Sequence, residues 1–182
     1  MRRTFVVLAL AASYGSALAE QPQPYAGMKS RTIKTLSDHQ IADLKAGNGM
    51  SLALAGELNG YPGPRHAIDL AEQLHLSPDQ LARLNDLYAA MKAEAMPIGA
   101  TLIAQERSLN DDFAAHTVTL TSLQTATQQI GATQGALRAA HLKYHLATAA
   151  ILTAAQIKRY DELRGYAGNA AAPSDHHRHH MQ

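Results

Sequence analysis

Two histidines in Ala140-His141-Leu142-Lys143-Tyr144-His145 are the side chains of this sequence best placed for chemistry. On a helix, a spacing of four sets both imidazoles on one face, which is how helices build two-ligand sites for Zn, Cu, Ni or Co. Residue 142 is Leu, so the HExxH pattern of zinc hydrolases is absent. His66, just past a Pro/Gly-rich loop, is the best candidate for a third ligand, with Glu57 or Met91 to complete the set. The plainer alternative is a pair of flanking histidines that hydrogen-bond across a helical hairpin. Near the other end, Asp-His-His-Arg-His-His-Met offers His176, His177, His179 and His180 with Met181, a composition suited to weak capture of Cu or Zn. An expression tag is the alternative there, although Arg178 interrupts the histidines. No Gly-flanked nucleophile, phosphate loop or paired-acid motif occurs, so no enzymatic function is expected and no cofactor is required.

The elements that must position these residues are helical. Apolar or small residues recur at Leu81, Leu84, Tyr88, Met91, Ala95, Ile98, Leu102, Leu109 and Phe113 in steps of mostly three and four, the seam of a helix packed lengthwise on another. Pro97 falls inside that run and is expected to kink or split it. A second long segment, about 121–150, carries Leu123, Ile130, Leu137, Tyr144 and Ile151 seven apart. Small residues (Ala126, Thr133, Ala140, Ala147) follow each of the first four by three positions, so the segment predicts an antiparallel hairpin with the first. His141 lies about 40° and His145 about 100° from this seam, at the border of the packed stripe. Shorter helices are expected after Leu36, within MSLALAGEL, over 65–75 and from Thr153 to Gly165, with a strong break at NGYPGPRH. No segment alternates as a strand does. The fold class is all-α: a long antiparallel helical hairpin with shorter flanking helices.

Arg2 and Arg3, the apolar run Phe5 to Ala12 and the Ala17-Leu18-Ala19 site read as a secretory signal peptide over 1–19, too short to span a bilayer. A flexible leading segment (20–35), one helical domain (36–166) and a disordered His-rich tail (167–182) follow. Export into a bacterial periplasm is the expected localisation. Removing the leader takes two of 16 basic residues, leaving 14 against 15 acidic ones and no basic cluster, so nucleic acid is not an expected partner. With no cysteine, the fold forgoes disulfides, and any metal site must use His, Asp, Glu or Met.

One hexapeptide pattern, Leu-[Ser/Thr]-x-x-Gln-[Ile/Leu], occurs at 36–41, 76–81 and 152–157. With Ser37, Ser77 or Thr153 at the N-cap, Gln40, Gln80 or Gln156 falls at N3 and completes a capping box. The preceding leucines (Leu36, Leu76, Leu152) and the following Ile or Leu form a hydrophobic staple, and Pro78 sits at N1, where proline is welcome. Local structure therefore accounts for all three copies, each cap contributing about 1 kcal/mol.

The copies at Leu76–Gln80 and Leu152–Gln156, flanking a hairpin in an exported cysteine-free chain, resemble the Spy/CpxP family of periplasmic LTxxQ-motif proteins. The resemblance covers roughly 70–165 and leaves 25–65 unmatched. That family includes stress-induced ATP-independent chaperones, an envelope-stress regulator and heavy-metal-binding or metal-sensing members. It implies a homodimer that holds unfolded or misfolded envelope proteins on the inner face of the 79–114/121–150 hairpin. Met91, Met96 and Leu102 are the candidate client contacts, with core filling as the alternative for each. A second reading is a metal-binding or metal-sensing protein that uses His141 and His145 with Zn, Cu or Ni and reports to a membrane sensor. A third is an interaction module that only regulates such a sensor.

Overall fold

The computed structural model describes Gln23 and residues 25–167. The expected signal peptide and the tail histidines lie outside these residues. The chain divides into two compact units, the first ending at Ser30. Its described part holds one 3-10 turn over Ala26–Met28.

Among its described residues the second unit, from Arg31, has six α-helices and no strand. They are α1 (Asp38–Ala46), α2 (Leu54–Glu57), α3 (Pro64–Asp69), α4 (Pro78–Ala114), α5 (Leu120–Ile151) and α6 (Ala154–Leu163). All three expected capping boxes form: Ser37, Ser77 and Thr153 each accept from the backbone N–H of the glutamine three residues on, whose side chain returns to the cap amide. Thr119 builds a fourth with Ser122 at the start of α5. At the other ends, Gly47 and Gly165 take left-handed conformations with φ of 66° and 74°, where a Cβ would be strained.

Helices α4 and α5 form the long antiparallel hairpin. Glu94 on α4 pairs with Lys143 and accepts from the Tyr144 hydroxyl at 3.1 Å, which sets the register between them. Helix α4 runs unbroken through Pro97, so the expected split does not occur. The proline is exposed, while Ala95, Gly99 and Leu102 are buried, so packing of the opposite face holds the helix across the missing hydrogen bond. Helix α3 is shorter than the expected 65–75, because residues 70–75 turn to launch α4 and bury Leu74 on the way.

Two apolar clusters sit along the hairpin. One joins Ile33, Leu44, Ala95, Leu102, Ile103, Ile130 and Leu137. The other joins Ala67, Leu74, Leu84, Leu152 and Tyr160. Helix α1 packs on α4, and α3 on both long helices, so residues ahead of Ser77 cover part of the hairpin. Thr35 donates to the buried Glu106 at 2.8 Å, and the Lys34 amide to Asn110 at 3.2 Å, which fastens this layer toward the hairpin turn.

Candidate functional site

Between the two clusters the packing turns polar. Met91 lies between Leu84 and Ala95 on α4, and His141 and His145 lie between Leu137 and Ile151 on α5. All three side chains are buried, His141 to 2% exposure and His145 to 8%. They line one cavity of about 240 Å³, together with the Gly47-Asn48-Gly49 turn after α1 and Gly63, Pro64 and His66 at the start of α3. Met50 and Ser51, just beyond Gly49, both have positive φ (41° and 67°), a conformation non-glycine residues seldom take. Met50 and Leu52 pack on the first cluster, which holds this strained turn against the cavity.

The two imidazoles differ. Nδ1 of His145 lies 2.7 Å from the Tyr61 carbonyl, which can only accept, so Nδ1 carries the proton and the neutral ring keeps its lone pair on Nε2. Gly63 makes room for this ring: a Cβ there would come within 2.9 Å of its Cε1 and 3.0 Å of its Nε2. His141 has no such partner, and its buried Nε2 makes no hydrogen bond. Burial, together with the neighbouring His145, lowers its pKa and favours the neutral ring.

A second centre lies beside them. Glu57, at the end of α2, is 5% exposed and accepts from the hydroxyls of Tyr160 and Tyr166, the latter at 3.2 Å, and from the Gly63 amide at 3.2 Å. Nδ1 of His66 is 3.3 Å from Oε1, Nε of Arg164 is 3.5 Å from the same oxygen, and Nδ1 of His145 is 3.7 Å from Oε2. Burial alone would raise the Glu57 pKa. Hydrogen bonds from His66 and Tyr160, the His66 charge and the Gly63 amide outweigh it and bring the pKa down to about 2. Conversely, burial and the Glu57 carboxylate push the Tyr160 hydroxyl well above its ordinary range.

Of the expected metal residues, His66, His141 and His145 do meet at one cavity. His66 and Glu57 are engaged with each other, however, and among the described residues no three His, Asp or Glu side chains are grouped to hold a metal ion. Of the expected client contacts, Met91 and Leu102 are buried, at 7% and 5% exposure, and only Met96 is exposed. The amphipathic pattern identified the helix faces, but not that residues ahead of Ser77 would cover them. Tyr160, Tyr166 and Arg164 were not legible as site residues. A lone acid inside the apolar run LALAGEL was the available signal for a buried carboxylate in need of such donors.

The motif glutamines have a role beyond their caps. Nε2 of Gln80 donates to Oε1 of Gln156 at 2.9 Å and to the Ile151 carbonyl at 3.0 Å. Nε2 of Gln156 donates back to Oε1 of Gln80 at 3.0 Å and to the Leu74 carbonyl at 3.3 Å. Each Oε1 also accepts from its own N-cap amide, so both side-chain amides are fully used. Gln40, in the third copy, is exposed and caps only its own helix.

An all-α hairpin whose ends are clasped by the glutamines of twin L-[ST]-x-x-Q helix starts defines the class of protein. The chain matches the model of the LTXXQ motif family over residues 64–164 and belongs to that family. No curated protein and no solved structure matches it. The matched region contains His66, Met91, His141, His145 and Tyr160, whereas Gly49, Glu57, Tyr61 and Gly63, which complete the site, precede it.

Proposed function

We propose that this is an exported, non-enzymatic metal-binding protein of the bacterial periplasm, with its ion taken up in the His141–His145 cavity. The observation that carries this reading is the buried, unpartnered Nε2 of His141 on a ring that shares a cavity with His145. A buried imidazole nitrogen with no partner loses its hydration without compensation, and a bound ion supplies the missing interaction. The Tyr61 carbonyl on the far nitrogen of His145 is the support that metal-ligating histidines ordinarily have. Arg2, Arg3 and the apolar run before Ala19 support export. Membership of the LTXXQ motif family is in keeping with an envelope role.

Calorimetric titration of the metal-free exported form with Cu(II), Zn(II) and Ni(II) tests the reading, with the tail histidines replaced by Ala. Tight binding of about one ion per chain, lost in His141→Ala/His145→Ala, is expected. Absence of binding by any ion, Cu(I) included, would make the pair structural.

A second reading, client holding, is favoured by apolar side chains that remain open on the hairpin. Met96, Phe113, Leu120 and Leu146 are 43%, 51%, 72% and 58% exposed, and Phe113 and Leu120 flank the α4–α5 turn. Such adaptable and aromatic side chains suit unfolded segments. Suppressed aggregation of several unrelated substrates, weakened by Phe113→Ser/Leu120→Ser, is the expected result. No suppression at molar excess would remove this reading.

A further inference from the structure

Building on the metal-binding reading, we propose that the ion the cavity selects is Cu(I), bound by Nε2 of His141, Nε2 of His145 and the thioether of Met91. The donor count points this way first. Structural Zn(II) takes four nitrogen, oxygen or thiolate ligands, and catalytic Zn(II) three plus water. Among the described residues no such trio of His, Asp or Glu is grouped. Of the neighbours that would extend the pair, Glu57 is held by Tyr160, Tyr166 and Gly63, and His66, drawn to Glu57 through Nδ1 at 3.3 Å with its side chain 44% exposed, is not grouped with the buried histidines.

What the cavity offers besides the two imidazoles is a soft donor. Met91 is 7% exposed and lines the same space. The Glu94–Lys143 and Glu94–Tyr144 contacts fix the antiparallel register, which brings Met91, about one turn earlier on α4, level with His145 and the turn beyond it. Thioether sulfur favours Cu(I) among the ions that imidazole also binds.

Charge argues the same way. Two imidazoles and a thioether are neutral, so the ion enters a buried space without a directly ligating carboxylate. The cost of desolvating an ion grows steeply with its charge, which penalises a divalent cation far more than a monovalent one. The chain contains no cysteine, so the site has no thiol to lose to oxidation.

The test uses the exported chain with His176, His177, His179, His180 and Met181 replaced by Ala, under anaerobic reducing conditions. Bicinchoninate, which forms a coloured Cu(I) complex, serves as the competitor. Withdrawal of one Cu(I) per chain is expected, with a sulfur scatterer in the copper X-ray absorption spectrum. Met91→Leu, close in size, should weaken Cu(I) about tenfold or more and remove the sulfur signal. His141→Ala/His145→Ala should abolish withdrawal, with circular dichroism checking that each variant is folded. If the double variant does not fold, Met91→Leu and the sulfur signal decide. Unchanged affinity and spectrum in Met91→Leu would overturn the assignment. Zn(II) or Ni(II) bound in place of Cu(I) would overturn it while leaving the metal-binding reading intact. No binding of Cu(I), Zn(II) or Ni(II) would bring down both.

Discussion

At the residue scale, Glu57 concentrates the electrostatics of this protein. Its carboxylate meets two tyrosines, two histidines, an arginine and a backbone amide drawn from α3, α5, α6 and the segments beside them. A pKa brought from 4.5 to about 2 ties stability to pH in a definite direction. The unfolded chain takes up the proton near 4.5 and the folded one only near 2, so the stabilisation is complete above 4.5 and lost as pH falls between these values. The linkage is on the order of 3 kcal/mol. Urea unfolding of the metal-free protein should therefore show stability falling steeply below pH 4.5, and Glu57→Gln should flatten that slope. The same variant is expected to cost roughly 2–4 kcal/mol at pH 7, since it leaves Tyr160, His66 and Arg164 facing a neutral amide. An unchanged acid limb in Glu57→Gln would show that other carboxylates govern acid unfolding.

At the scale of elements, two close fits join helices that are distant in sequence. The first is the reciprocal amide pair of Gln80 and Gln156, which locks the start of α4 to the start of α6. Replacing both with Ala removes two capping boxes and one cross-link, so a double-mutant cycle is needed to isolate the cross-link. A coupling of about 1–2 kcal/mol is expected for Gln80 with Gln156. Gln40, which lacks such a partner, should show none with either, and equal additivity for all three pairs would contradict the clasp. The second fit is at Gly99, where α1 meets α4. A Cβ there would stand 2.4 Å from the Leu44 carbonyl oxygen, a backbone atom that cannot swing away. Gly99→Ala should lower the unfolding free energy by about 1–3 kcal/mol, although Ala is the better helix former by about 1 kcal/mol. Measured stabilisation would mean that α1 can slide along α4 without loss.

At the scale of the whole molecule, the layer from Arg31 to His75 changes what the hairpin can do. Ile33 and Leu44 join the first cluster, and Ala67 and Leu74 the second, so both pack on faces that would otherwise be open to solvent. The same layer completes the cavity through Gly49, Gly63 and His66. An ion bound as proposed would touch both long helices of the hairpin and so stabilise the folded unit as a whole. Cu(I) supplied at 100 times its dissociation constant should raise the unfolding free energy by about 2.7 kcal/mol. The gain should vanish in His141→Ala/His145→Ala, and denaturation with and without Cu(I) measures it directly. A gain retained in that variant would place the ion elsewhere.

The sequence by itself determined the two long helices and the helix starts. Capping boxes, left-handed glycines and three-and-four periodicity involve residues within a turn or two of one another, and the three Ser/Thr–Gln boxes and the α4–α5 hairpin follow from them. It also placed His141 and His145 on one helix face, because that depends only on spacing. Only the tertiary structure decided how those faces are covered. Tyr160 reaches Glu57 across 103 residues and Gln156 reaches Gln80 across 76, separations at which no local pattern constrains a partner. Met91 and Leu102 show the same division: their periodicity marked an apolar face, but whether it met clients or core depended on where α1 and α3 packed. Desolvation and close packing act through space, so a buried carboxylate, an unpartnered imidazole and a thioether come together only when distant helices enclose them.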